Sequence, residues 1–444
     1  MYLQFHILSG FPIHSMNCDS NGRPKTVEIG GSLRGRISSQ SLKRNIRLAF
    51  PENAKATRSK MVISNIYKDI IEESEFILTE EQRKTFFEAI LTSIHVTATV
   101  TKDKNAQIKK VEKIMKDYLA LPIEEQFDFE FNKLKETTLI FLTDEEIDLI
   151  KSYYQRFFLT FEQEFIFNSL ISSCKESKKS DSLKDLLELT VDLNEDYSEV
   201  AAAILEQDLD VTTLIKAIKS EFKILTPEGK KLDKTLPSLL VIRKEVLETN
   251  LGTSMDVGLF GRMFASEGLQ TEAATFVSHS FTTHSIYIED DYFIAADDLD
   301  TGNTGASHLD TKEFSSGVYY SYIGLNLQTL SDNMKKEDLD NEIEAFVKSL
   351  ISNVSGSGKE HGIFGKTLPD FILIERGDSS PRNFGQAFIE PVKKNFLEDS
   401  KSRLLEYKES TDFFFGEDKP SSLIFNISER KTTLVDIINF SQGK

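Results

Sequence analysis

Residues 17–50 read NCDSNGRPKTVEIGGSLRGRISSQSLKRNIRLAF, a glycine-rich basic loop running directly into a short amphipathic segment. From Arg23 to Arg47 the chain carries Arg23, Lys25, Arg34, Arg36, Lys43, Arg44 and Arg47 against the single acid Glu28. That local balance of +6 sits within a total of −18, leaving −24 on the rest of the chain, so the positive charge is concentrated here. Wound at 100° per residue, Ser39 to Phe50 puts Leu42, Ile46 and Ala49 on one stripe. Lys43, Arg44 and Arg47 share a separate arc with Gln40, so one face packs while the other meets phosphates. Ser38 or Ser39 is the natural N-cap, and the free amides of a helix N-terminus are an anion site of their own. The competing reading is a solvated helix with a basic outer face. The loop before it favours a grip on an RNA backbone, because Gly22, Gly30, Gly31 and Gly35 permit close backbone approach among four more basic groups.

Upstream, Leu3, Phe5 and Ile7 alternate with Gln4 and His6, which predicts a strand over Met1 to Leu8 with one buried face. Downstream, from about Glu52 to Asn250, glycines are few and apolar residues recur at helical spacing, as in Ile147, Ile150, Tyr154, Phe157 and Phe161. This predicts an all-helical insertion. Strand character returns after Thr253, in Ala273 to Ile288 and Gly317 to Leu327. Between them, residues 289–316 read as a long protruding hairpin whose tip, Asp300 to Gly305, is turn chemistry. A helix over Glu337 to Val354 follows, then short strands at Phe371 to Glu375 and Gln386 to Glu390. Without the insertion the order is β, α, β, β, α, β: an α+β chain with the ferredoxin-like pattern that RNA recognition motifs (RRMs) also use. The expected division is 1–51 with 253–392 as one domain, with the hairpin arm 289–316 inside it. Residues 52–252 form the helical insertion, and 393–444 a charged tail of unassigned role.

The 444 residues are 39% hydrophobic, enough for proper cores. No signal-peptide layout or membrane-length apolar run is present, and two cysteines, Cys18 and Cys174, fit a reducing cytoplasm and exclude multi-cysteine metal sites. A net charge of −18 argues against coating nucleic acid with the whole surface, so a nucleic-acid site has to be a local groove.

Enzymatic constellations were tested and none is strong. His279 and His284 are five apart, on opposite faces of a strand, and do not jointly hold a metal. His14, His284 and His361 remain single candidates for general-base RNA cleavage, with a structural histidine the ordinary reading of each. The pairs Asp290–Asp291 and Asp297–Asp298 read as a solvated edge rather than a cation site. The loop NVSGSGKEHG at 353–362 lacks the first glycine and the hydroxyl of a phosphate-binding loop and follows a helix, which excludes that ATPase motif. Thr101 to Lys116, with Lys102, Lys104, Lys109, Lys110, Lys113 and Lys116, reads as a solvated helix face interrupted by Asp103 and Glu112. Two features suit binding better. Tyr292, Phe293 and Ile294 on the arm offer apolar surface to bases, and DVGLFGRMF at 256–264 sets Arg262 and Met263 beside a glycine.

The segments GRPK, GG, RISSQSLKR, DVGLFGRM, EDDYFIAADDL and EFSSGVYY occur in this order, and together they resemble the CasC family, the backbone subunit of the type I-E CRISPR Cascade complex. The resemblance spans the N-terminal segment and roughly Asp256 to Val392. It implies an RRM-like palm, helical fingers and a protruding thumb, in a non-catalytic protein without metal or cofactor whose copies stack along a CRISPR guide RNA. The partners it implies are that guide, target DNA through the guide, neighbouring copies and other Cascade subunits, with no membrane. By motif, Lys25, Arg34, Arg36, Ser39, Gln40, Lys43, Arg44 and Arg47 are the implied guide contacts. Met263 and Phe293 are the implied apolar wedge, with Arg262 and the Ser355 to Lys359 loop as further contacts. The chain has Asn17, Cys18 and Asp19 where the family commonly has Asn-Arg-Asp, and Ser32 and Leu33 where the family has further basic residues. The alternative from the same superfamily is an RNA endonuclease acting through a histidine or Asp19.

Overall fold

The computed structural model describes residues 1–74, 77–95, 101–135, 140–176, 236–239, 241–242, 253–262, 270–295, 308–353, 367–416 and 419–444. In chain order the elements are strands β1 (Tyr2–His14), β2 (Thr26–Ile29) and β3 (Ser32–Ile37) and helix α1 (Ser39–Leu48). Then come β4 (Thr57–Ser59), helices α2 (Val62–Glu73), α3 (Glu80–His95), α4 (Thr101–Leu119) and α5 (Ile123–Lys133), β5 (Ile140–Leu142) and α6 (Asp144–Glu176). These are followed by α7 (Met255–Phe260), β6 (Thr275–Val277), β7 (Ser280–Thr282), β8 (Ile288–Ala295), β9 (His308–Asn326), α8 (Leu327–Met334), α9 (Asp340–Asn353) and β10 (Phe371–Gly377). A 3-10 turn (Phe384–Phe388), α10 (Phe396–Phe415), β11 (Ser421–Asn426) and α11 (Leu434–Gln442) complete the chain. Two compact units result, 1–56 with 250–444 and 57–249. Among the described residues no helix is long and apolar enough to cross a membrane.

The first unit is built on a nine-stranded sheet in the order β11-β10-β1-β9-β7-β3-β2, with β6 and β8 also pairing with β9. β1 lies between β10 and β9, antiparallel to both, with Phe5 opposite Ile374 on one side and Ile323 on the other. Its alternation sends Leu3, Phe5 and Ile7 to one face, where they meet Ile46 of α1, Phe346 and Leu350 of α9 and Ile437 of α11. The other face carries Leu8, Tyr320, Tyr322 and Leu373, covered by Phe384 and Phe388 of the 3-10 turn and Leu404 of α10.

Three local expectations are corrected. The glycine-rich basic stretch is a β-hairpin: Gly30 and Gly31, at φ 57° and 67°, make the two-residue turn joining Ile29 to Ser32, the arrangement that suits the strand twist. The apolar run at 386–390 is not a strand. It closes the 3-10 turn, whose N-cap Asn383 accepts a bond from the Gly385 amide. The tail is integral, because β11 extends the sheet beside β10 and α10 and α11 each seal one of its faces.

Among its described residues the second unit is helical apart from a short β4–β5 ladder, Thr57 to Ser59 against Ile140 to Leu142, so it is not all-helical. Its core is aromatic, with Tyr67, Phe86, Phe87, Tyr118 and Phe157 buried. Buried Glu130 is met there by the Arg83 guanidinium at 2.8 Å and the Tyr67 hydroxyl at 2.8 Å. On α4, Val111, Met115 and Tyr118 turn inward while Lys109, Lys110, Lys113 and Lys116 are exposed.

Candidate nucleic-acid interface

The N-terminus of α1 is shaped by three short-range devices. Ser38, in extended backbone, caps the helix by accepting from the Ser41 amide at 3.3 Å. The Ser38 amide itself donates to Asn17 Oδ1 at 2.8 Å, and Asn17 stands at φ 57°, a left-handed conformation that asparagine tolerates. The Asn17 carbonyl accepts from the Lys25 amide, and the Lys25 carbonyl from the Arg36 amide at 2.8 Å. Lys25, Arg36 and the helix start are therefore held together through backbone bonds.

His279, between β6 and β7, completes this corner. Its Nδ1 accepts from the Ser39 amide at 3.3 Å and lies 3.5 Å from an Arg36 Nη. A ring nitrogen that accepts an amide proton is unprotonated, so the neutral ring presents Nε2–H outward. Burial first, then the charges of Arg36 and Lys25, lower its pKa. Gln40 and Arg44 are exposed on α1 and Lys43 is half-buried, its pKa lowered by burial. The Ser38, Ser39 and Ser41 amides are thus used within the chain, and what the corner leaves open is a neutral histidine and the cations Lys25, Arg36, Lys43 and Arg44, with chemistry suited to phosphate oxygens. Nothing in the spacing of His279 announced that it would meet α1, since their pairing is made by β3 against β7, Arg36 opposite Phe281.

Three expected contacts are corrected. Arg34 is fully buried: its guanidinium donates to the carbonyls of Thr282 at 2.9 Å and of Phe388 and Ile389 at 3.1 Å each, tying the hairpin to the end of the 3-10 turn. Arg47 is a clamp. Its Nε donates to Asp256 Oδ2 at 2.6 Å and an Nη to the Ala56 carbonyl at 2.6 Å, while the other Asp256 oxygen accepts from the Ala56 and Val257 amides and the Ser254 hydroxyl. Arg262 is 3% exposed, with its backbone paired to Thr271, and is not on the surface. Arg23, exposed, pairs with Glu313 at 3.1 Å. Met263, the Ser355 to Lys359 loop and His361 lie outside the described residues. Phe293 sits on β8 opposite Asp310 of β9, which establishes the paired stem of the arm, and Tyr292 beside it is 59% exposed.

The candidate catalytic groups are occupied structurally. His14 is buried against the rings of Phe11 and Tyr319, and burial brings its pKa down to about 4. The His284 ring stacks on Phe396 at 3.8 Å and takes the Val318 amide at Nε2. Asp19 uses one carboxylate oxygen to accept from the Asn21 and Arg23 amides, at 2.8 and 3.0 Å, folding the loop that carries it. Among the described residues no three His, Cys, Asp or Glu side chains gather to hold a metal ion.

A family model described as CT1975-like protein matches residues 3–203 and 166–442. No curated protein matches. Among solved structures, a chain of a "CRISPR RNA-guided surveillance complex, pre-nicking" is similar at 21% identity and a TM-score of 0.62, covering 100% of this chain and 99% of that one. A chain of a "CRISPR RNA-guided surveillance complex" is similar at 18% identity and 0.53, covering 98% and 94%. At these identities the likeness is one of fold.

Proposed function

The chain belongs to the family of CT1975-like proteins, and on that premise we propose that it is a non-catalytic backbone subunit that binds CRISPR guide RNA and oligomerises along it. It leaves the bases to pair with target DNA and works beside other subunits of a type I-E Cascade. The observation that carries this reading is the gathering of Lys25, Arg36, Ser39, Gln40, Lys43 and Arg44 about one helix N-terminus in a chain of net charge −18. Cations hold phosphates without reading bases, which suits guides of any sequence.

The strand order β10-β1-β9-β7, with α1 and α9 on one face, supports an RRM-like palm, and the β8–β9 stem supports a thumb. An RRM stacks bases on the free face of its sheet. Here that face is covered by α10 and the 3-10 turn, which is why the contact is assigned to α1 and the hairpin instead.

The test is binding of full-length protein to guide RNAs of unrelated spacer sequence across a salt series. Arg36→Ala with Arg44→Ala weakens binding to every guide alike and lowers the slope of log affinity against log salt by about 1.4, two phosphate contacts at ~0.7 each for single strands. An unchanged slope with unchanged affinity rejects the α1 corner as the grip.

A further inference from the structure

α10 ends in three consecutive phenylalanines that stand largely exposed. Phe413, Phe414 and Phe415 are 90%, 81% and 52% exposed, the last two in edge contact at 5.2 Å between centroids. Three successive residues span 200° of a helix, so no single core could take them all. The inward face of α10 is instead made by Ser400, Lys401 and Leu404. The exposed aromatic surface is on the order of 400 Å², the size at which a patch marks an interaction site. A cleft of about 590 Å³ adjoins it, lined by Asp378, Ser379, Ser380, Arg382, Phe415, Lys419 and Pro420.

The charge around this ridge narrows the occupant. Glu406 and Glu409 are exposed on α10, and Asp378, 80% exposed, pairs with the N-terminal ammonium at 3.0 Å. The helix C-terminus adds its negative dipole end. Of the nearby cations, Arg382 is held by Glu375 and by Asp412 at 2.7 Å, Lys408 by Asp412 at 2.6 Å and the N-terminal ammonium by Asp378, with exposed Lys419 as a counterweight. An acidic apolar ridge repels nucleic-acid phosphates and anionic lipid headgroups. It also suits the apolar cleft of a second copy poorly. The chain's own cleft of about 630 Å³ at the root of β8 and β9, lined by Ile13, Tyr287 and Phe314, is rimmed by Glu289, Asp290 and Asp291.

We propose that the Phe413–Phe415 ridge and its adjoining cleft dock a different protein subunit, through an apolar socket on that subunit rimmed by lysine and arginine. The surface is separate from the α1 corner and does not rest on the guide-RNA reading. The test places the photoreactive residue p-benzoylphenylalanine at Phe414 of the full-length chain in its native cells, irradiates the intact assemblies and sequences the crosslinked peptides. The expected product is a crosslink to one other polypeptide, in a segment whose apolar residues are flanked by Lys or Arg. In addition, Phe413→Ser with Phe414→Ser lowers the co-purified amount of that polypeptide at least tenfold, with the melting temperature and the guide RNA per chain unchanged. Crosslinks to another copy of this chain, to RNA or to an acidic segment overturn the proposal, as does yield no greater than from the same probe at Glu398.

Discussion

Arg34 and Arg36 stand two residues apart on β3 and point to the same side of the strand, yet one is buried and the other is at the open corner. Sequence treats them as equals; only the 3-10 turn, whose last carbonyls need a donor, separates them. The same holds for Arg47, which shares the basic arc of α1 until Asp256, 209 residues away, claims it. Arg34→Met and Arg47→Ala are each expected to cost roughly 3 kcal/mol in urea unfolding, because they strand buried carbonyls or a buried carboxylate. Arg44→Ala, on the exposed arc, is expected to change stability by less than about 0.5 kcal/mol. His14 makes a second prediction. Its folded pKa, about 4, lies below the ordinary 6.5, so its contribution is complete above pH 6.5 and is lost as the pH falls toward 4, a span worth roughly 3 kcal/mol. In His14→Asn, unfolding free energy measured between pH 6 and pH 4.5 is expected to fall less steeply than in the parent chain, by up to about 1.4 kcal/mol per pH unit.

The β2–β3 hairpin shows how elements divide the work. Its two glycines share a turn, but a Cβ on Gly30 would meet the Ile389 carbonyl oxygen at 2.0 Å, whereas one on Gly31 meets nothing within 4 Å. Gly30→Ala is therefore expected to lower the unfolding free energy by more than about 2 kcal/mol, since backbone cannot step aside for it. Gly31→Asn stays within roughly 0.5 kcal/mol, asparagine tolerating the left-handed region. A shift in the melting curve for both variants alike would mean that the Ile389 contact is not what fixes the hairpin. Elements with strong periodicity were legible: the first parts of β1 and β10, α1 and α9 fall where alternation and helical spacing put them. The short apolar run at 386–390 was not, because five residues do not distinguish a strand from a turn of 3-10 helix. α10 was hidden for a different reason: its buried face includes Ser400 and Lys401, the lysine reaching Glu398 and Asn426, so it displays no apolar stripe.

At the scale of the molecule, the tail closes the sheet of the first unit. β11 pairs with β10, α11 closes one face of the sheet and α10 the other. A chain truncated after Val392 is expected to lose cooperative thermal unfolding and to expose dye-binding apolar surface. Persistence of a sharp melt in that truncation would assign the tail to decoration. Glycine content and period are the sequence signals for a strand-rich part interrupted by a helical one. The closing elements were not, since their partners are distant in sequence and their contacts are mixed in polarity.

The central place of β1 also governs how the protein is made. Tyr2 pairs with Gly377 and Leu8 with Phe371, while its other neighbour is the second half of β9. The ribosome thus delivers the middle strand first and one of its flanking strands only after roughly 360 more residues, which at about 5–20 residues per second is on the order of 20–70 s. Throughout that interval Leu3, Phe5 and Ile7 lack the β10 residues that stand opposite them in the finished sheet. The α1 corner depends on the same sheet, through β7 and β9.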